Sequence, residues 1–146
     1  MTIWTRGNNP ILHVTVAGLN ATGVYRSALS VESWADAPIK SVVIRDAHVE
    51  FTGGGQAEQA THPLSGPGVD ARPLPAWGLY ARNVESLVLE DVRLSLSDDD
   101  LRPVIMADHV QHLNVDSLAF TPVHGITNTL VTTNVGKLTL RNTDLH

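Results

Sequence analysis

Five segments of the chain place aliphatic residues at the same three positions. Pro10-Ile11-Leu12-His13-Val14-Thr15-Val16 sets the pattern, with Ile11, Val14 and Val16 at its second, fifth and seventh places. The segments beginning at Pro38, Asn83, His109 and Asn134 repeat it through Ile39, Val42 and Ile44, then Val84, Leu87 and Leu89, then Val110, Leu113 and Val115, and finally Val135, Leu138 and Leu140. The register continues beyond a tight polar corner (Ala17-Gly18, Arg45-Asp46, Glu90-Asp91, Asp116-Ser117) into Leu19 and Ala21, Ala47 and Val49, Val92 and Leu94, Leu118 and Phe120. A third alternating run, such as Leu79-Tyr80-Ala81 or Ile105-Met106-Ala107, precedes each unit. Apolar residues at every second place mark β-strands, so each unit predicts three short strands.

The segments start 28, 45, 26 and 25 residues apart, a period of about 25 with one large insertion between the second and third units. A leucine-rich repeat of similar length needs a fixed leucine pattern and one strand per unit, which the three alternating runs do not supply. The pattern predicts an all-β parallel β-helix, a single domain over residues 1–146 of about five short coils stacked about 4.8 Å apart. Leu87, Leu113 and Leu138 are expected to form one internal column, and both ends to leave strand edges unpaired, the first coil starting without a cap near Trp4. Residues 53–75 hold Gly53-Gly54-Gly55, Gly66-Pro67-Gly68 and Arg72-Pro73-Leu74-Pro75 without apolar periodicity, and read as a loop insertion.

Composition narrows the function. Of 146 residues 42% are hydrophobic and 17% charged, a globular balance. The net charge of −5 with 10 scattered Lys and Arg leaves no basic stripe for nucleic acid. There is no cysteine for a disulfide frame, thiolate metal site or nucleophile. No run approaches the length of a membrane span, and residues 1–20 do not read as a signal peptide, so localisation is not indicated.

The stretch from Ile39 to Gly55, and Leu74-Pro75-Ala76-Trp77-Gly78-Leu79-Tyr80-Ala81-Arg82-Asn83-Val84 with Arg102-Pro103-Val104-Ile105-Met106-Ala107-Asp108, resemble late coils of glycoside hydrolase family 28, the polygalacturonase and rhamnogalacturonase group. The resemblance covers residues 38 to 115. It implies a right-handed, pectin-lyase-like solenoid and a pectic polysaccharide as partner. In that family, hydrolysis by inversion uses an Asn-Thr-Asp motif, an Asp pair, a His-Gly and an Arg-x-Lys in that order. Here Asn142-Thr143-Asp144 stands at the wrong end of the chain, and His124-Gly125 has no Arg-x-Lys after it. No catalytic residue carries over, which predicts C-terminal coils that bind the polysaccharide and are inactive alone. An active glycosidase with other acids, and a structural module assembling through its open ends, are the alternatives.

Inverting hydrolysis needs two carboxyls about 6.5 to 9.5 Å apart. Aligning the third strands stacks Glu32, Arg82, Asp108 and Thr133 facing outward, making Glu32 and Asp108 the candidate acids, or else an ion-pair ladder with Arg82 between them. Trp77 and Tyr80, with Arg82, are the candidate sugar contacts. Trp77 reads first as an anchor of the loop and second as a sugar contact, whereas Tyr80 should point outward. Asp98-Asp99-Asp100 reads as a solvated turn before a calcium site. The seven histidines, His109 and His112 among them, form no zinc set, so no metal or cofactor is expected. Asn83, His109 and Asn134 should occupy left-handed corners.

Overall fold

The computed structural model of the chain describes residues 1–7, 9–25, 28–66 and 72–146. It is mostly strand, in one curled sheet with every pairing parallel. Nine strands build it: β1 (Thr2–Thr5), β2 (His13–Ala17), β3 (Asn20–Val24), β4 (Leu29–Ser33), β5 (Ile39–Phe51), β6 (Leu79–Leu96), β7 (Ile105–Phe120), β8 (Leu130–Thr133) and β9 (Lys137–Arg141).

The long strands pass through more than one ladder. The first ladder joins β1, β4, the start of β6, the start of β7 and β8. The second joins β2, the first part of β5, the middle of β6 and β7, and β9. The third joins β3 to the ends of β5, β6 and β7. The strands turn between ladders at single residues in the left-handed region. Asn83, His109 and Asn134 have φ near +50° at one corner, and Asp46, Asp91, Ser117 and Asn142 at the next. Asn and Asp tolerate that conformation because their short side chains bond locally. The corner sequence thus bends the strand without breaking the ladder.

Register follows the apolar pattern. Val14, Val42, Leu87, Leu113 and Leu138 pair in succession, as do Val16, Ile44, Leu89, Val115 and Leu140. Val42, Leu87 and Leu113 are buried at the centre of the main core. The expected column is incomplete at Leu138, which is in register but 43% exposed because no further strand among the described residues covers it.

Nor are both ends equally open. After β9 the chain turns at Asn142 and inserts Leu145 into the core. The His146 carbonyl accepts hydrogen bonds from the Thr129 and Leu130 amides, both at 2.9 Å. Residues 142–146 therefore plug that end in part.

The insertion is more ordered than its composition suggests, although residues 67–71 of it lie outside the described part. It opens into a 3₁₀ turn, Ala57–Thr61, fixed by a capping box between Gln56 and Gln59. Leu64 from its first limb and Leu74 from its second pack over Tyr80.

Candidate functional site

The outer face of the first ladder gathers polar and aromatic side chains. Pairing sets Trp4, Glu32, Arg82, Asp108 and Thr133 side by side, in the register the alternation predicts. Their contacts differ from a simple alternating ladder. Arg82 Nη1 donates to Asp108 Oδ2 at 3.0 Å, but Glu32 is engaged from elsewhere. Arg72 Nη2 and Trp34 Nε1 both donate to Glu32 Oε2 at 2.7 Å. Arg72 comes from the insertion, 40 residues along the chain, and alternation within strands cannot foresee such a partner.

Glu32 is 0% exposed, and its Oε1 has no hydrogen-bond partner among the described residues. A buried carboxylate already bonded to a guanidinium and an indole is shielded from bulk water. It is poorly placed to donate a proton to an approaching glycosidic oxygen. Glu32 and Asp108 lie two strand spacings apart, about 9.6 Å along the ladder, at the upper limit of the carboxyl separation that inverting hydrolysis uses.

Arg82 is the fixed cation of this surface. Its guanidinium lies 4.4 Å from the centroid of the Trp34 ring, and Arg72 lies 5.9 Å from the same ring. Cation–π contact and the Asp108 bond together set its direction. Asp108 also bonds His109, with 2.6 Å between Oδ1 and Nδ1. Asn134 Nδ2 lies 3.1 Å from His109 Nε2, so the imidazole is held between Asp108 and the Asn134 amide.

Two shallow clefts meet at Arg82. One, of about 340 Å³, is lined by Ser33, Trp34, Asp36, Asn83 and His109 with Arg82. The other, of about 310 Å³, runs between the insertion and the ladder, past His62, Leu64, Tyr80, Met106 and Asp108. Asn83 donates to the Ala35 carbonyl at 2.9 Å, tying the corner to the segment that carries Trp34. Arg82 is the residue common to both clefts, and its side chain is part-exposed.

Two expected sugar contacts are displaced. Trp77 is 1% exposed, packed edge-on against Phe51 with ring centroids 5.8 Å apart. Buried there it anchors the end of the insertion and cannot offer a face to a ligand. Tyr80 does point away from the main core, yet it is only 4% exposed because Ala28, Leu64, Leu74 and Met106 cover it. Burial raises its phenol above the ordinary value of 10.0, against the lowering effect of Arg82. The aromatic of the first cleft is Trp34, whose short segment outside the repeats carries no periodic signal.

The acidic run also departs from expectation. Asp98 and Asp99 are exposed, but Asp100 is fully buried. Arg102 Nε and Nη2 grip both carboxylate oxygens at 2.9 and 2.7 Å, and its Nη1 bonds the Leu74 carbonyl at 2.8 Å. The Gly55 amide adds a bond of 2.9 Å to Asp100 Oδ2. This is a structural clamp joining the two limbs of the insertion to the loop before β7, rather than a solvated turn. Among the described residues no three His, Asp or Glu converge on a metal position. No helix among them is long and apolar enough to cross a membrane.

No family model matches the chain, and no curated protein or solved structure matches it.

Proposed function

We propose that the chain is a right-handed parallel β-helix segment related to the late coils of family 28 glycoside hydrolases, which binds a pectic polysaccharide and does not hydrolyse it alone. The observation that carries this reading is the meeting of two clefts at Arg82, a cation held in place by Asp108 and Trp34. A uronate carboxylate is matched by a part-exposed guanidinium whose direction is already set, which limits the entropy lost on binding. Asn83 and His109 offer polar atoms to sugar hydroxyls beside it, and Trp34 an indole edge. Three ladders joined at recurring left-handed corners support the solenoid. The burial of Glu32 and the tethering of Asp108 to Arg82 and His109 support the inactive reading, since both acids are already engaged by other side chains.

Calorimetric titration with oligogalacturonate, beside a neutral galactan, tests the proposal. Binding of the acidic oligomer alone is expected, weakening with salt and falling about tenfold or more in Arg82→Gln. Folding of the variant is checked by circular dichroism. No binding, or equal binding by Arg82→Gln, rejects the site. Release of reducing ends that disappears in Glu32→Gln and Asp108→Asn replaces the binding role with a hydrolytic one.

A further inference from the structure

The two clefts that meet at Arg82 have different walls. The first is mainly polar, with Ser33, Asp36, Asn83 and His109 beside the Trp34 ring. The second runs along the insertion, where Pro63, Leu64 and Pro75 line it together with Met106 of β7. Positive charge is scarce in both. Arg82 is the single Lys or Arg among the described residues that line either cleft. Arg72 lies near Trp34 but is bonded to Glu32, and it lines neither. Asp108 lines the second cleft, with one carboxylate oxygen on Arg82 and the other on His109. One anionic group at Arg82 is therefore matched, whereas a second one beside it, along the insertion, would meet Asp108 and an apolar wall. Moving a carboxylate from water into such surroundings without a partner is costly.

We infer that the site accepts one free uronate, at Arg82, and that the neighbouring sugar along the insertion is uncharged, its carboxyl capped as a methyl ester. This rests on the uronate reading of Arg82, and narrows it from any acidic pectic chain to one that carries both free and esterified units. The ester removes the charge that Asp108 opposes, and its methyl is an apolar group for Pro63, Leu64 and Met106 to cover. The ester carbonyl still accepts a hydrogen bond, and Thr133, which is exposed and lines this cleft, has a hydroxyl to donate. A fully esterified chain suits the second cleft but leaves Arg82 without an anion, and a fully free chain does the reverse. The ladder thus reads charge, and the insertion reads its absence on the next unit.

Calorimetric titration at about pH 7.5, above the ordinary range of imidazole titration, compares oligogalacturonates of one length with none, about half or all of their carboxyls methylated. The half-esterified oligomer should bind about fourfold or more tightly than the free one, the gain from one buried methyl, and the fully esterified oligomer should bind most weakly. Leu64→Lys places a cation in the second cleft and should reverse the order, so that the free oligomer binds best. A variant that has merely unfolded binds neither and shows it by circular dichroism, and Met106→Lys then repeats the test from the ladder side. Arg82→Gln should weaken both carboxylate-bearing oligomers. Equal or tighter binding of the free oligomer by the unaltered chain, with Arg82→Gln still weakening it, overturns this inference and leaves the uronate reading standing. Binding of no oligomer overturns both. A preference for the half-esterified oligomer that survives Leu64→Lys and Met106→Lys also overturns it.

Discussion

Asp100 shows how a single side chain can hold an insertion to a sheet. Burial by itself would raise its pKa, but the Arg102 hydrogen bonds and charge, aided by the Gly55 amide, outweigh that and hold the carboxyl below its ordinary 3.8. A carboxyl depressed in the folded state binds its proton more readily once unfolded. Its contribution to stability is therefore complete above pH 3.8 and is lost as the pH falls through the lower folded value. Asp100→Asn should lower the melting temperature at neutral pH and flatten its acid dependence below about pH 4. Thermal melts of both proteins across that range check this, with the exposed Asp116 and Glu85, also lowered, acting alike in each. Gly55 is constrained by the same clamp, because a β-carbon there would run into Arg102 Nε and both Asp100 oxygens. Gly55→Ala is expected to cost about 3 kcal/mol in urea denaturation by forcing the buried pair apart. Gly53, against the Asp98 carbonyl, and Gly55 are thus required by close packing, whereas Gly54 has open space around it and a φ of +87°.

At the scale of elements, the corners and registers were legible in the sequence and the clefts were not. Alternation at period two fixes which side of a strand faces inward, and five segments in phase fix which residues stack, so Val42, Leu87 and Leu113 could be aligned from letters alone. Asn83, His109 and Asn134 at the corners followed from their tolerance of positive φ. Arg82 beside Asp108 followed from the same register. What the letters could not show was the path of the insertion, because its contacts obey no period. Arg72 over Glu32, Leu64 and Leu74 over Tyr80, and Trp34 under Arg82 all join segments that alternation does not connect. Tyr80 reads as an outward-facing contact for that reason, whereas Trp77 reads as an anchor of the loop with sugar contact as the lesser reading. The corner rule itself can be measured at Asp91, exposed with φ of +51° and remote from both clefts. Asp91→Val should cost about 1 to 2 kcal/mol, since a β-branched residue is strained there, while Asp91→Gly should be close to neutral. Chemical denaturation of the pair separates backbone strain from loss of the carboxylate.

For the whole molecule, stacking makes stability a property of position. Strands β6 and β7 are paired on both sides, whereas β8 and β9 pair only with β7 among the described residues. Each row depends on its neighbours for burial, so opening should start at the ends and move inward. The plug makes this testable at one end. Leu145 is the last apolar residue on the core, and the following His146 holds the first amides of the β8 segment. Leu145→Ala removes the buried side chain at a cost of about 2 to 3 kcal/mol. Its effect should be local: faster amide hydrogen exchange in β8 and β9, with little change in β6. If protection fell equally in all four strands, the sheet would open as one cooperative body, and the plug would guard the whole core rather than its end. A gradient from β9 to β6 would identify Leu145 as the residue that stops the stack from fraying.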